Sequence, residues 1–155
     1  MTTLNELKLT TVGWRFTDQK SNKIDEEDLK DIKINDPEYS KLKWTEFTHS
    51  QEFHLFKLNN DFWRSLNKVN QINVDWGSEN KEELNIISKE CNLEFDDRII
   101  FFWGGQTSFE ISWYLFIKYW DDFCYPSDDN NLIICEEKKI LITYVEDCFT
   151  IYYLQ

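Results

Sequence analysis

The sequence predicts a single α+β domain over residues 1–155, helical in its N-terminal and middle parts and closed by a C-terminal antiparallel β-meander packed on a helix. Three observations predict it. The chain has 155 residues, of which 41% are hydrophobic and 17% aromatic, enough to bury a core without disulfides. In Ser78–Asn92, Leu84, Ile87 and Cys91 recur at helical spacing. Three short apolar runs, NLIICE, KILITYV and FTIYYL, end the chain, separated by turns at Glu136–Lys139 and Glu146–Asp147.

The elements follow in order. LTTVGWRFT (9–17) places β-branched and aromatic residues around Gly13 and reads as a strand. DEEDLKDIKI, from Asp25, has acids first and lysines later, which suits the dipole of a short helix. DPEY (36–39) interrupts the pattern, and the aromatic-rich residues 44–69 read as one or two helical pieces. Ser78 is placed to cap the next helix. DRIIFFW (97–103) has strand length and exits at Gly104-Gly105. Thr107 and Glu110 then have capping-box spacing, and Phe109, Trp113, Phe116, Ile117 and Trp120 draw one apolar helical face. Trp113, Phe116 and Trp120 are accordingly expected in the core. Pro126 and the Ser-Asp-Asp-Asn run end that helix near Phe123.

The formal net charge is −12 and it is uneven. Residues 1–77 carry 11 Lys and Arg against 13 Asp and Glu, a balance of −2; residues 78–155 carry 6 against 16, a balance of −10. A nucleic-acid binder needs a basic footprint and an anionic membrane surface attracts cations, so both are disfavoured as direct partners. Concentrated acidity instead suits a basic partner, or is simply a solvated face. The four cysteines, at 91, 124, 135 and 148, have no zinc spacing, and Cys124, Cys135 and Cys148 sit among apolar neighbours as buried thiols do. MTTLNELKLT is not a signal peptide, and no apolar run reaches membrane length. A reduced, soluble, cytoplasmic protein is expected.

KYWDDFCYPSDDNNLIIC (118–135) raises the functional question, with four aspartates set between aromatic rings. Asp121 and Asp122 fall at the end of the expected helix, where each exposed carboxylate opposes the dipole at a cost of ~0.3–1 kcal/mol. Either the charge serves a partner or the carboxylates cap nearby backbone N–H groups. The loop lacks the residue order of a calcium-binding EF-hand, so no metal is expected. His49 and His54, five residues apart, do not form a zinc motif, and no nucleophile elbow or phosphate-binding glycine loop is present. Neither catalysis nor a cofactor is expected. Lys118 is the lone cation around the rings, too few for stacking on nucleic acid.

The W-D-D-F-C-Y-P-S-D-D-N block ahead of strands, in a small, acidic, Trp-rich chain, resembles immunity proteins of bacterial contact-dependent growth inhibition and related polymorphic toxin systems. The resemblance spans mainly Gly104–Gln155. It implies a protein that binds one cognate toxin domain, often a basic nuclease, and blocks its active site or substrate groove. It brings no universal binding residues, so the expected partner-binding set rests on charge and position: Asp121, Asp122, Asp128 and Asp129 for charge, Tyr125 for contact area, and Glu136 and Glu137 extending the patch from the first hairpin turn.

Two other classes remain. A regulatory module for a different basic protein predicts the same acidic patch. An enzyme with a dispersed site requires a concave pocket lined by His49, His54 or Cys124.

Overall fold

The computed structural model describes residues 2–17 and 24–154, and within them helices cover both faces of one seven-stranded antiparallel sheet. The helices are α1 (Leu4–Lys8), α2 (Trp14–Thr17), α3 (Glu26–Leu29), α4 (Pro37–Thr48), α5 (Asn60–Arg64), α6 (Lys81–Glu90), α7 (Trp113–Lys118) and α8 (Trp120–Phe123). The strands are β1 (Lys33–Ile34), β2 (Asn67–Asn73), β3 (Arg98–Trp103), β4 (Ser108–Ser112), β5 (Asn131–Cys135), β6 (Ile140–Val145) and β7 (Cys148–Tyr153). Their order in the sheet is β1-β4-β3-β5-β6-β7-β2.

The C-terminal meander forms as expected and occupies the middle of this sheet. Its runs are apolar throughout because both faces are covered. On β3, Ile99 and Phe101 point into one core with Ile133, Ile142 and Phe149; Ile100 and Phe102 point into the other with Leu132, Ile134 and Leu141. That alternation is the two-residue period of a strand. The first core also takes Leu7, Phe16, Leu84, Ile87, Trp113, Phe116, Trp120 and Phe123; the second takes Trp44, Leu55 and Phe62. Trp113, Phe116 and Trp120 are therefore core residues, as the sequence suggested.

Several expectations need correction. LTTVGWRFT is helical and turn structure: Thr3 and Glu6 close a capping box on α1, and the Thr10 and Thr17 hydroxyls donate to the carbonyls of Leu7 and Gly13. A Cβ on Gly13 would lie 1.7 Å from the Leu7 carbonyl oxygen, so only glycine lets this turn fold back. DPEY starts a helix: Asp36 accepts from the Tyr39 N–H and Pro37 occupies the first turn of α4. The cap of α6 is Asn80, not Ser78. Residues 67–73 form the edge strand β2, whose polar NKVNQIN gave no apolar signal.

The Thr107/Glu110 pair does not cap a helix. Gly104-Gly105 turns β3 back into β4, where Phe109 and Ile111 are buried and Glu110 and Ser112 less so, and Glu110 pairs with Ile100 and Lys33 across the sheet. The helix begins later, where Ser112 accepts from the Leu115 N–H at 3.1 Å. Among the thiols, Cys91, Cys124 and Cys135 are buried; Cys148, on the less covered face of β7, is half-exposed.

Candidate partner-binding surface

The acidic block sits where a helix breaks. At Tyr119 the backbone leaves helical geometry (φ −119°, ψ 27°), ending α7 and starting the four-residue α8. Asp121 and Asp122 thus occupy the first turn of α8, not the end of a long helix, and the expected opposition to a helix dipole does not arise. Phe123 closes α8 with a heavily used carbonyl, which accepts from Trp103 Nε1 at 2.9 Å and Arg15 Nη1 at 3.3 Å.

Tyr125-Pro126-Ser127-Asp128 then makes a tight turn, with the Asp128 N–H donating to the Tyr125 carbonyl at 3.0 Å. The Asp128 carboxylate accepts in return from the Tyr125 N–H at 2.9 Å and from the Asn131 amide at 2.8 Å. Arg15, from α2, holds the same carboxylate with both terminal nitrogens, at 2.8 and 2.9 Å. Burial works against the charge of Asp128, but Arg15 and these N–H donors outweigh it and hold the carboxyl below its usual range. Asp128 is a structural anchor whose charge is already answered.

Asp122 is different. It is only 6% exposed, and its Oδ2 has no hydrogen-bond partner. Burial, reinforced by the neighbouring Asp121 and only partly offset by Arg15, pushes its carboxyl up to about 7. Asp121 is half-buried and also raised, again chiefly by burial. Its backbone carbonyl accepts the Trp76 indole N–H at 3.0 Å, and the same N–H reaches the Cys124 carbonyl at 2.9 Å.

These contacts assemble a row of three rings. Tyr125 lies in the middle, with Trp14 on one side and Trp76 on the other, each centroid 5.6 Å away in edge-to-face geometry. The Arg15 guanidinium stacks on Tyr125 at 4.0 Å from the ring centre. Trp14 is 55% and Trp76 40% exposed. Acidic residues lie on the segments that hold the row, with the Asp147 carboxylate accepting from the Tyr144 hydroxyl at 3.0 Å and that of Asp75 from the Ser78 hydroxyl at 3.2 Å. Asp75 precedes Trp76, and the β6–β7 turn residues Glu146 and Asp147, both at positive φ, are tied in through Glu146 N–H to the Asp128 carbonyl and Val74 N–H to the Asp147 carbonyl, each 2.9 Å. A groove of about 550 Å³ opens beside Asp121, lined by Ser78, Glu79, Lys118 and Trp120 among others.

The sequence-predicted set is thus divided. Asp121 and Tyr125 belong to this surface, Asp122 lies buried beneath it, and Asp128 fastens it. Asp129 faces away toward His54, whose Nε2 is 3.6 Å from its carboxylate. Glu136 and Glu137 do not extend the patch, because the five-residue β5 separates them from it by roughly 17 Å of strand; Glu136 instead lies 3.4 Å from Lys43. Trp14, Arg15 and Trp76 were missed. Their one sequence signal was an isolated Arg between aromatic residues in GWRF and an unexplained Trp in a polar loop.

The residues required by a dispersed enzyme site lie apart. His49 is exposed at the left-handed end of α4, His54 is half-buried beside Asp129, and Cys124 is buried with its thiol raised by burial. None of them lines the cavities of about 740, 550 and 500 Å³. Among the described residues no group of His, Cys, Asp and Glu is arranged to hold a metal ion, and no helix is long and apolar enough to cross a membrane.

Comparison with protein families matches residues 4–151 to a family described as "Protein of unknown function (DUF2947)". The chain belongs to this family. No curated protein and no solved structure matches it. Within this DUF2947 chain, the ring row and its acids therefore have to be read from their own chemistry.

Proposed function

We propose that this protein is a cytoplasmic, non-catalytic immunity protein that binds a basic toxin domain, of the kind that cleaves nucleic acid, and blocks its active site or substrate groove. The observation that carries the reading is the ring row Trp14–Tyr125–Trp76, with Trp14 and Trp76 exposed and Asp75, Asp121, Glu146 and Asp147 on the segments that hold it, in a chain of net charge −12. Trp and Tyr supply contact area at low entropic cost, and carboxylates around them pair with Lys and Arg. A nucleic-acid-cleaving domain presents such cations where it holds phosphates. The long-range field of the acidic surface speeds its capture.

Capture of a partner domain from the native host, followed by titration at 50 and 300 mM salt, tests this. The reading expects tight binding to a domain that is toxic alone, weakening with salt and with Trp76→Ala or Asp121→Asn, and restored growth when the two are co-expressed. A tightly bound basic domain without toxicity would reassign the protein as a regulatory module. Binding unaffected by either substitution would discard this surface.

A further inference from the structure

Beneath the ring row lies a carboxyl group without the partner its burial demands. Asp122 Oδ2 is enclosed and accepts no hydrogen bond, and the Nε of Arg15 is likewise enclosed and unpartnered. Arg15 is the nearby cation that would ordinarily answer such a carboxylate. Its terminal nitrogens are committed to Asp128, and its plane to the Tyr125 ring. The charged and titratable groups that act on Asp122 are Asp121 on its own helix, which opposes its ionisation, and Arg15 from α2, which favours it. Tyr125, from the following loop, is close enough for the Asp122 charge to help raise its phenol. From the loop packed on α8 comes the Trp76 indole, with Asp75 beside it.

With Arg15 committed to Asp128, ionised Asp121 and Asp122 together leave two negative charges without a paired cation next to an exposed tryptophan and an open groove. We propose that docking here is proton-coupled: a guanidinium or ammonium group of the partner, seated at Asp121 and Trp76, drives the proton of Asp122 out to solvent and takes its place as counter-charge. The inference rests on the docking surface described above and adds the chemistry of its occupant, a cationic side chain exchanged for a proton. By linkage, a partner that favours the ionised form binds more tightly as pH rises toward the carboxyl's own midpoint, by up to about tenfold per pH unit for one proton. Above that midpoint the dependence disappears, because Asp122 is already ionised.

The test is a carbon-13 NMR titration of the Asp122 carboxyl, alone and with an octa-arginine peptide, in which the Trp14 and Trp76 indole N–H signals report on the surface. The expected result is a free-protein midpoint near neutrality that falls by about one pH unit or more with peptide, while the Trp76 indole signal moves. Calorimetry at pH 6 in two buffers of different ionisation heat should then show release of about 0.4 proton for a one-unit fall and about 0.8 for a two-unit fall. In Asp122→Asn that release should vanish and the pH dependence of affinity between about 5.5 and 7.5 should flatten. A free-protein midpoint in the ordinary carboxylate range would overturn the coupling whatever the peptide does. A peptide that moves the indole signals and leaves the midpoint in place would also overturn it, with the docking surface intact. A peptide that moves neither indole would overturn the docking surface itself.

Discussion

Arg15 and Asp128, 113 residues apart in sequence, are joined by two nitrogen–oxygen contacts of 2.8 and 2.9 Å, with only 11% and 13% of their side-chain surfaces exposed. This pair binds α2 to the turn after α8 and so places Trp14 beside Tyr125. Truncating one partner strands the other charge in a dry site. Asp128→Ala should therefore lower unfolding stability by about 3–5 kcal/mol. The double variant Arg15→Met/Asp128→Leu should lose clearly less than the sum of the single changes, as read by urea denaturation of all members of the cycle.

Asp122→Asn should have the opposite effect. Burial first, then Asp121, raises this carboxyl to about 7, whereas in the unfolded chain it titrates near 4. A raised acid stabilises the fold below the unfolded value, and that contribution is lost as pH rises through the folded one. At pH 8 the wild-type chain buries an unanswered charge, so the asparagine variant should be more stable by about 2–4 kcal/mol. The advantage should be gone at pH 4. Equal gains at both pH values would mean that charge is not the cause.

Trp14 packs edge-to-face on Tyr125 and exposes just over half of its surface. Trp14→Ala should lower stability by about 1 kcal/mol through the lost ring contact. It should weaken binding of the basic partner by about 2 kcal/mol, roughly thirtyfold, as loss of an aromatic anchor does. Thermal melting and titration calorimetry on the same variant separate the two effects.

Glu136 and Glu137 provide the control for geometry over charge count. Replacing both with Gln removes two of the acids and leaves the ring row untouched, so partner affinity should change by less than threefold or so. Asp121→Asn removes one charge and should cost more. If affinity follows net charge alone, the double change will have the larger effect.

Gly105 tests how closely the β3–β4 turn docks. A Cβ there would lie 2.5 Å from Phe53 and 2.8 Å from Trp44, and the Gly105 N–H already donates to the Phe53 carbonyl at 3.0 Å. Gly105→Ala should cost about 1–3 kcal/mol through overpacking, measured by denaturation.

The sequence by itself determined the parts of this protein whose signals are local. NLIIC, ILITYV and CFTIYY are apolar at strand length and divided by turns, so they pair as a meander in any arrangement that covers them. Leu84 and Ile87 at helical spacing similarly determined the buried face of α6. Tertiary structure decided the rest. SFEIS became a strand because Phe109 and Ile111 alternate into a core that β3 had already begun, and this outweighed a capping-box spacing of the kind that occurs by chance. NKVNQIN became a strand because β7 offered it an open edge. The candidate site depended most on context. Four aspartates within nine residues read as equal charges, yet Asp128 is answered by an arginine 113 residues away, Asp122 is enclosed, Asp129 turns to His54, and Asp121 is half-buried with its backbone carbonyl on Trp76. Sequence gives the type and spacing of charges. Burial and long-range partners decide whether each charge is spent inside the fold or presented at its surface, and both are properties of the packed chain.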